Sequence, residues 1–474
     1  MHLLQPDLHY RRAFLRRSGQ LALAGSALPF ALNLAAVGDA AAFNATDYKA
    51  LVCVFLFGGN DYANTVVTYD DATYARYAAI RGAIAIGRDA LAPTVLRPTV
   101  ALPGGRQYAL HPAMAGMTNL FNTGKAAVQL NVGPLVVPLT RAQYNGGDRR
   151  NFPVPPKLFS HNDQQSVWQS SSPEGSTVGW GGNIGDLALS SNGNSLFTCI
   201  SVSGNAVFLS GDQALQYQVS NNGAVGINAV KSNVYGSAAV RAAMTQLIQQ
   251  PRTQVLENEY NKVAVRAVNS EAQIQTALAA AAPTTVFPDN NPLASQMRLV
   301  ARLIGGRNTL GAKRQVFFVS LGGFDLHDNL IAQQPGLMTR VSEAMTAFYN
   351  TTVELGVADK VTAFTASDFG RTLASNGDGS DHGWGSHHLV VGGAVRGAAF
   401  YGSAPPVSNT NTAAAEDQWH VGQGRLLPST SVDQYAATLA RWFGVADSEM
   451  AGILPNLRNF GGAGYPVDLG FMAP

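Results

Sequence analysis

Apolar residues in this chain occur as continuous runs that alternate with helix-like patterns. The runs ALVCVFLF, AAVQLNV, QVFFVSL and VTAFT each have the length and β-rich composition of a strand buried on both faces. Between them, the segments LHPAMAGMTNLFNTG and LMTRVSEAMTAFYNTTVELG carry apolar residues at helical spacing. This alternation predicts an α/β fold in which a central, mostly parallel sheet is sandwiched by helices. A final helix is predicted in SVDQYAATLARWFGV, with Ser431 as its N-cap.

The middle of the chain has a different pattern. Residues 171–250 are rich in Gly, Asn and Ser with short apolar strips, and residues 251–285 return to helical spacing. Because aromatic and β-branched residues keep recurring, we expect an ordered insertion of loops and strands at about residues 171–285 and not a disordered linker. The remainder of residues 43–474 is then one large α/β domain.

The first 42 residues read as an export signal. Four arginines precede a weakly apolar stretch that is interrupted by Gly25 and Pro29 and ends in a run of alanines. This is the layout of a signal peptide, and residues 11–15 (RRAFL) have the spacing of a twin-arginine signal. We expect cleavage after Ala42 and a periplasmic or secreted protein that uses the twin-arginine export machinery. The alternative, an anchoring membrane helix, is disfavoured by the glycine and the proline, so no stable membrane anchor is expected.

The charge balance argues against nucleic acid as a partner. Only 13% of the residues are charged, and the formal net charge of +2 becomes 0 when the four arginines and two aspartates of the signal are removed. A neutral mature protein is a poor electrostatic match for a phosphate backbone. The two cysteines, Cys53 and Cys199, each lie in an apolar run, which predicts buried free thiols; a disulfide between neighbouring strands is the alternative.

Carboxylates and imidazoles follow several of the predicted strands. The carboxyl ends of parallel strands share one edge of a sheet, so these side chains are expected to gather there. Such ligands suit one or two divalent ions, and two ions would clamp the attacking and leaving oxygens of a displacement at phosphorus. A plainer role remains open for some of them, as a turn residue for Asp61 and as an ion-pair partner of Arg371 for Asp368. The candidates are Asp61, Asp325, His327, Asp368, Asp381, His382, His387 and His388.

Several motifs, taken in order, resemble one exported protein family. They run from about residue 48 to about residue 460 and are FLFGGNDYANTVV, LHPAMAGM, LFSHNDQQSVWQ, GWGGNIGD, GGFDLHDN, SDFGRT, GSDHGWGSHHLVVGGAVRG and GRLLPSTSVDQYAATLARWFGV. The chain resembles the family called domain of unknown function 1501, which is placed in the alkaline-phosphatase-like superfamily. The resemblance implies that fold and the hydrolysis of phosphate or sulfate esters at a divalent metal centre, but no particular substrate.

The resemblance also implies metal ligands. Asp61 matches the metal-binding aspartate after the first strand. Asp325 with His327 resembles the next Asp–His pair, although the superfamily commonly spaces such a pair more widely. The implied cofactor is one or more divalent ions, zinc first, with manganese, magnesium or calcium as alternatives.

A later Asp–His pair of the superfamily is incomplete in this chain. Asp368 matches its aspartate, but the neighbouring residue is Phe369. A two-metal site is therefore one ligand short unless His382 supplies it. His387 resembles the late histidine of the superfamily, with His388 as the close competitor.

A nucleophile is expected at the start of a helix, where backbone amides favour a developing anion. Ser160 is the first candidate and Thr65 the second, while plain N-capping is the alternative role of Ser160. His161 is expected to protonate the leaving group or only to orient Ser160. Arg371 is expected to hold the substrate phosphate or to serve as a structural ion-pair partner.

The sequence as a whole predicts an exported metal-dependent hydrolase of phosphate esters. Sulfate esters are disfavoured because the sulfatase signature, Cys or Ser followed by Pro and Arg at fixed spacing, does not occur. The substrate ester would be a small molecule or part of a polymer. The alternative, from another functional class, is a non-catalytic envelope or surface-binding protein that keeps the fold.

Overall fold

The structure, a computed structural model, describes residues 45–221, 223–224, 226–462 and 464–474. The predicted signal peptide, residues 1–42, lies outside the described residues. The strands, in chain order, are β1 (Lys49–Leu56), β2 (Val66–Thr68), β3 (Tyr108–Leu110), β4 (Ala126–Gly133), β5 (Cys199–Ser201), β6 (Tyr217–Gln218), β7 (Arg314–Leu321), β8 (Val361–Ser367), β9 (Arg371–Ser375), β10 (Ser380–His382), β11 (Ser386–Gly392), β12 (Ala399–Tyr401) and β13 (Thr430–Ser431). The α-helices are α1 (Tyr62–Thr65), α2 (Asp71–Arg81), α3 (Arg88–Leu91), α4 (Ala115–Asn122), α5 (Arg141–Gly146), α6 (His161–Ser170), α7 (Trp180–Ala188), α8 (Asn228–Lys231), α9 (Ala238–Gln249), α10 (Val255–Ala280), α11 (Pro292–Gly305), α12 (Arg307–Leu310), α13 (Leu330–Glu354), α14 (Val432–Phe443) and α15 (Asp447–Ile453).

Within the described residues, one nine-stranded sheet carries the fold. Its order is β12-β4-β11-β8-β1-β7-β5-β6, with β13 paired beside β4. β11 is antiparallel to β4 and to β8, and the other neighbouring pairs of this sheet are parallel. The predicted class, an α/β fold with a mostly parallel central sheet, is therefore confirmed.

Helices cover both faces of the sheet. Successive residues of a strand point to opposite faces, so the apolar side chains of the central strands are buried on both sides. On one face, Val52 and Val54 of β1 belong to a core that they share with α11 and α13. On the other face, Phe364 of β8 packs against Trp180 of α7 and Tyr435 of α14. This double burial explains why the central strands are continuous apolar runs and do not alternate with polar residues.

The last helix of the core begins where the sequence predicts. Ser431 Oγ accepts a hydrogen bond from Gln434 N at 3.0 Å, and the Gln434 side chain accepts one from Ser431 N at 2.8 Å. This reciprocal capping box fixes the start of α14 directly after β13.

The segment predicted as an insertion extends one side of the sheet. Within residues 171–285, β5 pairs with β7 and β6 forms the edge, and helices α7 to α10 account for much of the remainder. The longest of them, α10, has 26 residues. Across the described part of the chain, no helix is both long and apolar enough to span a bilayer.

The two cysteines are separate thiols. Cys53 lies on β1 and Cys199 on β5, and β7 runs between these strands. Both are buried and free, and burial raises the pKa of each thiol above its ordinary value. They therefore behave as small apolar core residues.

Candidate metal centre

Two aspartates reach one place from strands on either side of β1. β1 pairs with β7 on one side and with β8 on the other, all in parallel. Asp368 directly follows β8, and Asp325 lies in the loop after β7. His161, the first residue of α6, lies between them: its Nδ1 is 2.7 Å from Asp368 Oδ2, and its Nε2 is 3.4 Å from Asp325 Oδ2. The carboxyl edge of the sheet thus brings Asp325, Asp368 and His161 together.

Two glycines after β1 allow the chain to pass close to this place. Gly58 and Gly59 have φ angles of 117° and 86°, which favour glycine. A Cβ on Gly58 would lie 2.3 Å from Asp325 N, and one on Gly59 would lie 2.5 Å from the Phe369 ring. The Gly-Gly pair is therefore required by the close packing of this turn against the loops that carry the site.

Three imidazoles present the same ring nitrogen to Asp325. Nε2 of His327 and Nε2 of His382 lie 3.1 Å and 3.2 Å from Asp325 Oδ1, and they are 2.9 Å from each other. Ligand atoms of His161, Asp325 and His382 all lie within 4.8 Å of one another. We call His161, Asp325, His327 and His382 the His–Asp cluster. It is open to solvent, since the side chain of Asp325 is 44% exposed.

An acceptor holds the other ring nitrogen, Nδ1, of each imidazole. The pairs are His161 with Asp368 at 2.7 Å, His327 with Asp381 at 3.1 Å, and His382 with the carbonyl oxygen of Phe159 at 2.7 Å. A proton on Nδ1 leaves the Nε2 lone pair of a neutral imidazole free. Lone pairs that converge on a carboxylate repel it and each other unless a cation or a proton lies between them. Such an arrangement suits metal ligands whose outer hydrogen bonds set their orientation.

Local charges shift the ionisation of the cluster. Partial burial opposes ionisation of Asp325, but the hydrogen bond and the charge of Arg371 outweigh it and hold the pKa of this carboxyl below its ordinary value. The hydrogen bond to Asp368 raises the pKa of His161, against the effect of burial. Burial lowers the pKa of His382. A carboxylate and a neutral imidazole, both suited to bind a cation, are therefore present near neutral pH.

Asp368 is fully buried, and only one of its oxygens is used. Oδ2 accepts hydrogen bonds from His161 Nδ1 and, at 2.8 Å, from Gln165 Nε2. Oδ1 has no hydrogen-bond partner among the described residues. Since an unpaired buried carboxylate oxygen is costly, a cation or a water molecule is needed to satisfy it.

Both carboxylate oxygens of Asp61 accept hydrogen bonds from protein groups, and Asp61 does not join the His–Asp cluster. Its Oδ2 accepts hydrogen bonds from Arg81 Nη2 at 2.8 Å and from Ser380 Oγ at 2.7 Å. Its Oδ1 accepts one from Asn64 N at 2.9 Å and so caps α1. Both oxygens of Asp61 are therefore engaged in holding the turn after β1.

Arg371 lies buried beneath the cluster. Nη1 donates to Asp325 Oδ1 at 2.6 Å and to the carbonyl oxygen of Gly58 at 3.1 Å, and Nη2 donates to that of Ser380. The residue has no exposed surface. Of the two roles expected from the sequence, this geometry fits the structural ion pair, and the partner is Asp325 instead of Asp368.

The two candidate nucleophiles differ in access. Ser160 is partly exposed just before α6, and its hydroxyl donates to Asp163 at 3.0 Å without capping the helix. Thr65 is buried, and its hydroxyl donates to the carbonyl oxygen of Asp61 at 2.7 Å. Ser160 is therefore the more accessible hydroxyl, and it is adjacent to His161 in the chain.

His387 and His388 lie on β11, inside the fold. Nδ1 of His387 accepts a hydrogen bond from Asn131 N at 3.0 Å, and His388 packs against Trp168. Burial lowers the pKa of both imidazoles to about 3. The structure does not bring either of them to the His–Asp cluster, whereas it does bring His382.

Motif spacing in the sequence did not reveal which side chains and backbone groups hold Asp61, His382 and Asp368 in place. The burial of Arg81 against Asp61 depends on how α2 packs, which no local pattern shows. The left-handed backbone of Phe159, with φ of 75°, is equally invisible in the sequence. Gln165 could have been found, because it lies four residues after His161 and so on the same face of α6.

The sequence of residues 48–453 matches the family described as Protein of unknown function (DUF1501). The chain belongs to this family. The family resemblance drawn from the motifs is therefore confirmed. No curated protein matches this DUF1501 chain.

Three solved structures are among those similar to this DUF1501 chain. The lipoteichoic acid synthase LtaP from Listeria monocytogenes is 9% identical, with 86% of this chain and 74% of that chain covered and a TM-score of 0.32. Ps i-CgsB in complex with k-i-k-neocarrahexaose is 10% identical, with 87% and 77% covered and a TM-score of 0.35. A mutant of the alkaline phosphatase PafA is 10% identical, with 69% and 64% covered and a TM-score of 0.27. Similarity at this level carries no conclusion about chemistry, which has to rest on the side chains.

Proposed function

We propose that this DUF1501 protein is an exported hydrolase of phosphate esters that works at a divalent metal ion. The observation that carries the proposal is the convergence of three imidazole Nε2 atoms on Asp325, with an acceptor at each Nδ1.

His161, Asp325 and His382, whose ligand atoms all lie within 4.8 Å of one another, would hold the ion. Imidazole nitrogen is a ligand for zinc and related transition metals, whereas magnesium and calcium prefer oxygen. Zinc is therefore the first choice, ahead of manganese, magnesium and calcium. A divalent ion at such a site acts as a Lewis acid and lowers the pKa of a hydroxyl that contacts it. In this arrangement His161 serves as a ligand and not as the acid that protonates the leaving group.

Ser160 is the proposed nucleophile, because the residue is partly exposed and directly precedes His161 of the cluster in the chain. Asp163 Oδ2 already accepts the hydrogen bond of this hydroxyl, so it is placed to take the proton when Ser160 attacks phosphorus. The ester P–O bond then breaks, the leaving alkoxide takes a proton from solvent, and water hydrolyses the phosphoserine to release phosphate. Ser160→Ala should abolish turnover while the protein retains its metal. Thr65→Ala is the comparison, and it should keep turnover in the folded protein. A fully active Ser160→Ala variant would exclude Ser160.

Phosphate esters are preferred over sulfate esters because the sulfatase signature does not occur in the sequence.

Twin-arginine export carries folded proteins, so the metal can be loaded before export. Replacing Arg11 and Arg12 by lysine should retain the protein in the cytoplasm, and fractionation of expressing cells measures this. Unchanged export of that variant would contradict the proposed route.

The test of the function uses the mature protein, residues 43–474, and its His382→Ala variant. His387→Asn is the matched control, because His387 is a histidine of the same segment that lies outside the cluster. Mass spectrometry of bound metals is combined with a panel of phosphomonoesters, phosphodiesters and sulfate esters, assayed after zinc, manganese, magnesium or calcium is added.

We expect the wild type to bind metal and to hydrolyse a phosphate ester. His382→Ala should lose both properties, and His387→Asn should keep its metal. A wild-type protein that holds no metal and stays inactive after every addition would refute the proposal. Metal binding without any hydrolysis would favour the non-catalytic envelope protein.

A further inference from the structure

Arg425 lies at the rim of the His–Asp cluster and is held there by two contacts. Its Nε donates to the carbonyl oxygen of His382 at 2.7 Å, and its guanidinium lies 5.4 Å from the centre of the Phe159 ring. The carbonyl oxygen of Phe159 in turn accepts the Nδ1 proton of His382. Arg425 is therefore fixed to the backbone of one cluster residue and to the ring of the residue that orients it.

The terminal nitrogens of Arg425 are unused. Across the described residues, neither Nη1 nor Nη2 has a hydrogen-bond or ion-pair partner, and the side chain is partly exposed. Asp381 is the carboxylate whose charge acts on Arg425, but it forms no ion pair with Arg425, and its Oδ1 is engaged by His327 and Asn376. The two outer N–H edges of the guanidinium are thus free for a ligand from solvent.

Two other cations near the cluster lack this freedom. Arg371 is wholly buried and bonded to Asp325 and to backbone carbonyls. Lys157 is exposed but pairs with Asp163 at 3.5 Å. Neither presents a free planar fork of donors beside the cluster.

A guanidinium with its stem fixed and its two outer edges free matches a tetrahedral oxyanion. The planar fork can donate to two oxygens at once, and the contacts to His382 and Phe159 already restrict the side chain, so little rotamer freedom is lost on binding. We propose that Arg425 binds the substrate by donating to two non-bridging oxygens of the phosphate or sulfate group that reacts at the cluster. This inference rests on the proposed function. Arg425 binds and orients the oxyanion, and it transfers no proton.

The test measures anion binding, which does not depend on turnover. Inorganic phosphate and, separately, sulfate are titrated by calorimetry into the mature protein with and without added zinc. The variants are Arg425→Ala and Arg425→Met, of which the second keeps apolar contact with the Phe159 ring. Arg441→Ala is the control, because Arg441 is another partly exposed arginine and pairs with Asp447. Lys157→Ala tests the competing cation.

We expect the wild type to bind at least one of the two anions, which identifies the preferred ester. Both Arg425 variants should raise the Kd for the anion about 10- to 100-fold, because a charge-assisted hydrogen-bonded pair is lost. Their melting temperature and their metal content should match the wild type. Arg441→Ala and Lys157→Ala should bind the anion as the wild type does.

Four results would overturn the inference: no anion binding by the wild type, an unchanged Kd in both Arg425 variants, a loss confined to Lys157→Ala, or loss of metal from the Arg425 variants. If Arg425→Ala fails to fold, the Kd of Arg425→Met for the anion serves as the test. The outcomes separate the two proposals. A metal-dependent hydrolase with unaltered Arg425 variants refutes only the role of Arg425, whereas anion binding through Arg425 in a chain that never binds metal refutes only the metal-dependent function.

Discussion

Arg81 Nη2 lies 2.8 Å from Asp61 Oδ2, and both side chains are buried almost completely. The pair joins the turn after β1 to the end of α2, and Ser380 Oγ links it to β10. Arg371 donates to the carbonyl oxygen of the same Ser380 and to Asp325 of the cluster. A continuous polar network therefore runs from the buried ion pair to the candidate metal centre.

This ion pair should be important for stability. Removing one partner leaves the other charge buried without compensation, so Asp61→Asn and Arg81→Met are each expected to lower the free energy of unfolding by about 3–5 kcal/mol. The double variant should lose less than the sum, because neither charge is then left alone. Urea unfolding of the four proteins measures this. Strictly additive losses would contradict the coupling.

The same pair predicts how many metal ions the chain holds. Asp61 has no oxygen free, and a guanidinium already occupies the position of its counter-charge. We expect one divalent ion per chain, held by the His–Asp cluster. Metal analysis of zinc-saturated protein after gel filtration gives the ratio. Two ions per chain would show that Asp61 exchanges Arg81 for a metal.

The sequence predicted the part of this site that follows from the order of strands. Asp325 and Asp368 could be placed at a common edge because each follows an apolar run, and parallel strands end on the same side of a sheet. Asp61 obeys the same rule, yet its carboxylate is used by Arg81. Twenty residues and the packing of α2 separate the two, so only the folded structure reveals the pair.

The histidines show a similar limit. Ten residues, 379–388, contain His382, His387 and His388, and spacing alone could not say which of them reaches Asp325. The two-stranded pairing of β9 with β10 carries His382 to the cluster, whereas His387 and His388 enter the main sheet on β11. Arg425 was not predicted because its position depends on a backbone carbonyl and a ring that are distant in sequence.

Asp368 should act on metal binding through His161. Replacing it by asparagine removes the charge that holds Nδ1 of His161, and such outer partners commonly change metal affinity about 10- to 100-fold. Gln165→Leu is the control, because it removes the other donor to the same oxygen and leaves the His161 contact intact. Competition with a chromophoric chelator gives the zinc Kd of each protein. Asp368→Asn binding zinc as tightly as the wild type would contradict this role.

We expect Asp433 to make the stability of the protein depend on pH. It lies in the first turn of α14, where burial raises its pKa to about 6, although Asn456 N and the Ser171 hydroxyl donate hydrogen bonds to it. An acid with a raised pKa in the folded state binds more protons when folded than when unfolded between its two pKa values. The free energy of unfolding therefore falls as the pH rises from about 4 to about 6 and is level above that range.

Asp433→Asn should remove this pH dependence, because the amide stays neutral and can still accept from Asn456 N. Relative to the wild type, the variant is expected to gain stability from pH 4 to pH 7, by up to about 3 kcal/mol for a pKa raised from 3.8 to about 6. Urea unfolding at a series of pH values measures the difference, in which the contributions of all other groups cancel. Asp447→Asn, on an exposed aspartate, should show a much smaller change. A difference between Asp433→Asn and wild type that stays constant across this range would mean that Asp433 is already ionised in the folded protein at pH 4.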